Sequence, residues 1–215
     1  MTRRRPSSRK PRQPAKGPGR RTPGRLRLIG GDFRRRQLPV LDRPGLRPTP
    51  DRVRETLFNW LATAVPGARV LDLFAGTGAL GLEALSRGAR QVVFVERDAQ
   101  VARQLDDNLR ALEATERAQL VTADAQAFLA GAPTPFSLVF LDPPFRQELA
   151  GTCCHALEAG WLAEEALIYV ETESSLPPEV PASWQLHREV RAGDSTGRLY
   201  RRHPPGTGSP GGDAC

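Results

Sequence analysis

Residues 70–81 constrain the fold most tightly. The apolar run Val70-Leu71-Asp72-Leu73-Phe74 ends in Ala75-Gly76-Thr77-Gly78 and passes at once into the helical stretch Ala79-Leu80-Gly81. Glycines at this spacing let a strand bend sharply into a helix and let a ligand approach the backbone closer than a Cβ would allow. Such strand–turn–helix units build parallel sheets, and the rest of the chain keeps the same rhythm. Apolar runs recur at Val92–Val95, Leu120–Thr122, Leu138–Leu141 and Leu167–Val170, with helical patterns between them, the clearest being Val101, Leu105, Leu109 and Leu112. Runs that are apolar throughout mark strands buried on both faces, so a mostly parallel, Rossmann-like α/β sheet is expected. Two later runs, Trp184–Val190 and Gly197–Arg201, flank the turn-rich residues 192–196 and predict an antiparallel hairpin that closes the sheet.

Ahead of this unit, Arg25–Ile29 and Gln37–Val40 predict a small hairpin around Gly30-Gly31 and the cluster Arg34-Arg35-Arg36. A helix should follow, with Thr49 as its N-cap, Pro50 at the first helical position and Asp51 in the first turn. Val53, Leu57, Trp60 and Leu61 then line one face until Pro66-Gly67 stops it. Charge divides along the chain. Residues 1–54 carry 18 Lys/Arg against three acids, and residues 55–215 carry 13 against 21. A basic N-terminal third on a mildly acidic body is the pattern of a polyanion-binding protein. Residues 1–24, rich in Arg and Pro and nearly without apolar side chains, read as a disordered basic arm, and the Gly/Pro-rich 204–215 as a disordered tail. No apolar run approaches the roughly 18 residues a membrane helix needs. Cys153, Cys154 and Cys215 are too few for a disulfide framework, and His155, His187 and His203 have no ligand spacing, so no metal is expected. With no secretory signal, the expected compartment is the cytoplasm, and the expected state a monomer.

Two motifs carry chemistry. Gly76, Gly78 and Gly81 satisfy G-x-G-x-x-G, and Glu96 ends the next strand about 20 residues on, placed to accept from ribose hydroxyls. That alone fits any adenosine-ribose binder. Asp72 on the approaching strand end is an awkward neighbour for a diphosphate but a good one for an ammonium and a sulfonium, which points to S-adenosylmethionine (SAM). Asp124, after the third parallel strand, could accept from an adenine amino group or simply cap the next helix. The second motif is Asp142-Pro143-Pro144-Phe145 at the carboxyl end of the fourth strand. Ligands bind at that end of an open α/β sheet, and two prolines stop the ladder in a rigid extended corner. An exocyclic amine is a poor nucleophile because its lone pair is delocalised into the ring. Hydrogen bonds from its N–H groups to Asp142 and to the Pro143 carbonyl would favour the localised, attacking form. Phe145 offers a face for a base, and a paired base could reach such a corner only after flipping out.

Gly76–Gly81 together with Asp142–Phe145 resembles the class I SAM-dependent amino-methyltransferases, whose amine-modifying members carry Asp/Asn-Pro-Pro-aromatic. More specifically, Arg25–Gly31, Arg36–Pro39, Leu46–Trp60 and Leu71–Gly88 resemble the RsmD family of bacterial 16S rRNA guanine-N2 methyltransferases, over about Arg25 to Arg202. The resemblance implies a seven-stranded methyltransferase domain over residues 25–203, whose residues 25–66 face RNA. It also implies SAM as donor and a guanine amine of 16S rRNA, free or in the assembling small subunit, as acceptor. Carried over, Asp72, Phe74, Gly76, Gly78, Glu96, Asp124 and Thr49 would hold the cofactor. Asp142, Pro143, Pro144 and Phe145 would form the catalytic corner, and Arg34, Arg35, Arg36, Arg47 and Arg52 would contact RNA. The family commonly has Arg-Gly-Arg where this chain reads Arg34-Arg35-Arg36, and the arm of residues 1–24 exceeds the family's usual start. The same chemistry on an adenine or cytosine amine in DNA or on a protein glutamine amide stays open. So do a nicotinamide dehydrogenase and an RNA-binding module with a dead cofactor site.

Overall fold

The computed structural model describes residues 24–43, 46, 49–144 and 149–203. Arg47 and Phe145, residues 1–23 of the basic arm and the 204–215 tail lie outside the described residues. In chain order the elements are β1 (Gly24–Arg27), β2 (Gln37–Val40), α1 (Asp51–Trp60), β3 (Arg69–Asp72), α2 (Ala79–Ser86), β4 (Gln91–Glu96) and α3 (Ala99–Ala111). They continue with β5 (Ala118–Thr122), α4 (Ala125–Leu129), β6 (Phe136–Leu141), α5 (Leu149–Leu157), β7 (Leu162–Glu173), β8 (Trp184–Ala192) and β9 (Ser195–Arg202). β1 and β2 form a separate hairpin, and the other seven strands form one sheet in the order β5-β4-β3-β6-β7-β9-β8. β3 to β7 run parallel, while β9 is antiparallel to both neighbours and slots between β7 and β8. The seven strands are those the resemblance implies, and the mostly parallel sheet, the closing hairpin and the small N-terminal extension are those the pattern predicts. Gly24, read as the end of the arm, instead opens β1 opposite Val40.

Alternation along the buried strands sends successive side chains to two cores. Val92, Phe94, Leu138, Phe140 and Tyr169 meet Leu57 and Phe58 of α1, Leu82 and Leu85 of α2, Leu105 and Leu109 of α3, and Leu26 and Leu38 of the hairpin. Val93, Val139, Leu141, Ile168 and Val170 face Ala125 and Leu129 of α4 and Cys153, Cys154 and Leu157 of α5. Each fully buried side chain of this size contributes about 1.5–3 kcal/mol, so the sheet is clamped from both sides. Both thiols are free, and burial, with the Asp124 charge behind it, pushes Cys153 up to about 11.

The hairpin is held by an ionic knot that periodicity could not show. Arg54 and Glu83, both fully buried, meet between α1 and α2 at 3.7 Å. Glu83 accepts the Ile29 and Gly30 N–H groups and the Arg87 Nε, each at 2.8 Å. Arg54 donates to the carbonyls of Thr49 (3.1 Å) and Arg27 (2.8 Å) and to Asp51 (2.6 Å). The turn then presses on the C-terminal end of α2. Gly31 has φ +73°, and a Cβ there would lie 1.8 Å from the Ser86 carbonyl oxygen, so only glycine fits. Arg36 donates to the Ala111 carbonyl at the C-terminal end of α3 (2.7 Å).

Candidate active site

β3 leads outward to β4 and β5, after which the chain returns to place β6 on the other side of β3. That reversal opens a crevice at the carboxyl ends of β3 and β6, the place where open α/β sheets bind ligands. The glycine turn lies on one side of it. Gly78 caps α2 with φ +76°, and a Cβ there would lie 2.5 Å from Leu105 Cδ1. Glu96 supports the turn from β4: its carboxylate accepts the N–H groups of Gly76 (2.9 Å) and Asp98 (2.7 Å). A carboxylate has about four lone-pair positions, so two remain for hydroxyls. Asp72, 3% exposed, turns its carboxylate to the Gly81 N–H (2.9 Å). Burial, reinforced by the Glu96 charge and opposed by that N–H, pushes Asp72 up to about 7. Asp72 is thus tied into the start of α2 rather than projecting freely. Phe74 is half-buried against the second core. Asp124 does cap α4, accepting the Gln126 and Ala127 N–H groups, so the plainer of its two expected roles is realised.

On the other side, β6 delivers Asp142 partly exposed, Pro143 buried and Pro144 exposed. Thr49 does not cap α1, whose N-cap is Pro50 with no side-chain hydrogen bond. The Thr49 side chain lies instead beside Asp142, whose carboxyl it pulls toward the ionised form. Asp51 supplies the negative charge at the helix start and bridges Arg27 (2.7 Å) and Arg54 (2.6 Å). Asp142 is held well above the usual carboxylate range by burial first, then by the charges of Glu171 and Asp72, with Thr49 pulling the other way. Glu171, at the end of β7, was missed in the sequence. Its signal was the one Asp72, Glu96 and Asp142 share, an acid closing a buried apolar strand.

Ahead of α1, Arg43 and Leu46 lie beside the glycine turn. Arg43 pairs with Asp98 (3.2 Å) and hydrogen-bonds Gln100, and Leu46 sits over Gly76, where a Cβ would meet Leu46 Cδ1 at 3.2 Å. Exposed Arg52 stands in the first turn of α1, three residues from Thr49. The Arg34–Arg36 cluster does not join this group. α2 and α3 run from the carboxyl ends of their strands toward the amino ends, and the cluster sits at the finish of both. Along α3 that is about 20 Å from the crevice. Arg36 is engaged with Ala111, whereas Arg34 and Arg35 are exposed.

The donor set decides what could sit here. Asp72, Glu96, Asp142 and Glu171 converge with backbone N–H and hydroxyl groups. Among the described guanidinium groups around them, Arg43 and Arg54 are engaged with acids and Arg198 with Thr172 and Glu189. An acidic crevice beside a glycine turn fits a cationic adenosyl cofactor and opposes a diphosphate. Among the described residues no group of three or more His, Cys, Asp or Glu could hold a metal ion, and no helix is long and apolar enough to cross a membrane.

Known proteins resemble this chain over most of its length. The family model described as Conserved hypothetical protein 95 matches residues 26–201. Ribosomal RNA small subunit methyltransferase D of Escherichia coli K12 is 53% identical over 193 residues, covering 89% of this chain and 97% of that protein. The protein of the same name from Haemophilus influenzae is 47% identical, covering 83% and 94%. Among solved structures, the Escherichia coli protein yhhF superposes with a TM-score of 0.78 at 51% identity, over 84% of this chain and 99% of that one. A Thermus thermophilus protein superposes at 0.67 with 31% identity, over 81% and 98%. A match across nearly all of the described residues, at this identity, leaves one assignment: the chain belongs to the RsmD family of methyltransferases.

Proposed function

We propose that the protein transfers a methyl group from SAM to the exocyclic N2 amine of a guanine in 16S rRNA, free or in an assembling small subunit. The observation that carries this reading is the juxtaposition of Asp142 and Pro143 with the glycine turn across one crevice. The names of the relatives supply the ribosomal RNA. SAM bound there would supply a methyl group made electrophilic by its sulfonium. Glu96 would accept from the ribose hydroxyls through its two remaining lone pairs. Asp72 and Asp142 would favour the cofactor's positive charge, and the turn at Gly76 and Gly78 would admit its backbone-close approach. Asp142 and the Pro143 carbonyl would each accept an N–H of the flipped base, localising the nitrogen lone pair toward the methyl carbon. Arg52 beside the crevice and the basic residues upstream of Gly24 would hold RNA phosphates, an attraction that weakens with salt. An enzyme with this substrate works in the cytoplasm.

The deciding experiment digests rRNA from a deletion strain and searches for a lost N2-methylguanosine, restored by the wild-type gene. Asp142→Ala should lower kcat by about a hundredfold or more while SAM still binds. Complete rRNA methylation in the deletion strain, with a methylated DNA base or protein glutamine missing instead, would transfer the chemistry to that acceptor. Full activity of Asp142→Ala would end the proposed role of the corner.

A further inference from the structure

Beside Asp142 the sheet holds a second carboxylate that the transfer as described leaves idle. The β6–β7 register pairs Leu141 with Val170, so Asp142 and Glu171 follow at matching positions on strands about 4.8 Å apart. Glu171 is 6% exposed. Its Oε2 accepts from the Tyr169 hydroxyl (3.0 Å) and its Oε1 from the Ser195 hydroxyl (2.8 Å). Among the described residues no cation pairs with it: Arg198 of β9 is engaged with Thr172 (3.0 Å) and Glu189 (3.8 Å). Three further features hold this acid still. Gly197 lies opposite it, and a Cβ there would come within 2.0 Å of the Tyr169 hydroxyl. Ser174 bonds the Thr196 hydroxyl (2.8 Å) and donates its N–H to the Asp194 carbonyl (2.8 Å), fixing the turn that carries Ser195. A buried carboxylate without a cation, next to another carboxylate, is costly to fold around. Here two strands, β7 and β9, with the turn before β9, cooperate to keep it in place without neutralising it.

We propose that Glu171 is a positioning residue of the methyl transfer, whose fixed negative charge makes Asp142 the acceptor of the proton that the methylated amine must lose. The inference rests on the amine methylation proposed above and adds where its proton goes. The base nitrogen's lone pair forms the bond to the methyl carbon, and the carbon–sulfur bonding pair stays with sulfur. The nitrogen, now one proton too many, passes that proton to an Asp142 oxygen, and the N–H bonding pair returns to nitrogen. Asp142 is partly exposed and releases the proton to solvent. The groups facing this pair are Asp72 from β3, Tyr169 on β7, Ser195 from β9 and the Thr49 hydroxyl ahead of α1. Arg54 of α1 stands behind Thr49 and is engaged with Asp51, Arg27 and Glu83. The burial and acidic neighbours that hold Asp142 above the carboxylate range also make it a better base than an exposed aspartate.

The test is Glu171→Gln, which keeps the shape and an acceptor oxygen but removes the charge. In the free protein, the titration midpoint of the Asp142 carboxyl carbon, followed by NMR, should fall by about one pH unit or more. On 16S rRNA the acid limb of the kcat profile should move down with it. The plateau kcat should drop about tenfold, a share of the ~10²–10⁴ that a positioned base is worth, and by more than KM for SAM rises on loss of the charge. Glu171→Asp, which retains the charge, should restore most of the limb position. An Asp142 midpoint that stays put, or one that moves while the plateau kcat remains wild-type, overturns the proposal. If E171Q does not fold, E171D withdraws the charge by one methylene and should show a smaller shift in the same direction, with no shift overturning it equally. A wild-type enzyme that leaves rRNA guanines unmodified defeats the proposed substrate, a result read in a different protein from the one that tests Glu171.

Discussion

Buried Glu83 and the pair of half-buried Asp142 and buried Glu171 are acids reached by the same core, yet they are treated in opposite ways. Glu83, between the hairpin and α2, takes two backbone N–H groups, the Arg87 Nε and the nearby charge of Arg54. At the carboxyl ends of β6 and β7, Asp142 is drawn down by Thr49 and Glu171 accepts the hydroxyls of Tyr169 and Ser195, and among the described residues no cation pairs with either. Compensation of the first kind serves folding: it welds the N-terminal extension onto the sheet. Its absence in the second kind leaves negative potential in the crevice, available to a cationic cofactor and to a proton. The number of cations around a buried acid therefore separates the region that holds the molecule together from the region that does chemistry.

The widest effect should come from breaking the compensated site. Glu83→Ala would leave buried Arg54 with Asp51 as its one described acid partner, remove the counter-charge of Arg87 and free the Ile29 and Gly30 N–H groups. Removing one partner of a buried pair costs about 3–5 kcal/mol. Urea unfolding should show that loss, with the hairpin and α1 becoming the first region to exchange amide hydrogens. A change under 1 kcal/mol would mean that Glu83 is not the anchor that the contrast requires.

Next in size is the opposite sign at the other end. Asp72 sits at about 7 in the folded protein against an ordinary 3.8. Between those values the folded protein keeps a proton that the unfolded chain has released, so stability is lost as pH rises through that window. Three pH units correspond to about 4 kcal/mol at full effect. Asp72→Asn, which can still accept from the Gly81 N–H, should therefore raise the melting temperature at pH 8 and do little at pH 4. SAM affinity, measured by calorimetry at pH 8, should fall because a negative charge has left the crevice. Destabilisation at pH 8 would place Asp72 with Glu83 among the structural acids.

Much of this was legible in the sequence wherever the signal is local. The glycine turn follows a buried strand, and Asp72, Glu96 and Asp142 each close one, so strand, turn and acids could be read together. Residues whose meaning depends on distant partners were misread or missed. Thr49 has the spacing of an N-cap, and only the fold brings Asp142 within reach of its hydroxyl. Arg54 and Glu83 look like solvated helix charges until α1 and α2 pack, although an acid inside the otherwise apolar Ala79–Leu85 was a clue. Glu171 became a neighbour of Asp142 through the β6–β7 register, and its support through insertion of β9 beside β7. The Arg34–Arg36 cluster was legible as positive charge, but its distance from the crevice depends on the direction in which α2 and α3 run.

The smallest effect belongs to the hairpin turn and sharpens the contrast from the structural side. Arg35 has φ +68°, a left-handed conformation that a side chain other than glycine adopts at a cost of about 1–2 kcal/mol. Its neighbours are locked by turn hydrogen bonds, Arg35 N–H to the Leu28 carbonyl at 2.9 Å and Leu28 N–H to the Arg36 carbonyl at 3.0 Å, so the angle cannot relax. This is the position at which the family's Arg-Gly-Arg turn has its glycine. Arg35→Gly removes the strain, but the unfolded chain gains about 0.5–1 kcal/mol of conformational entropy to lose on folding. A net gain of about 0.5 kcal/mol is expected, read as a slightly higher urea midpoint with an unchanged slope. Because the turn lies a helix length from Asp142, kcat should stay at the wild-type value. The salt dependence of RNA binding should change by no more than the loss of one phosphate contact. A large fall in kcat with stability unchanged would show that this end of the molecule reaches the chemistry after all, and the division between the two regions would not survive it.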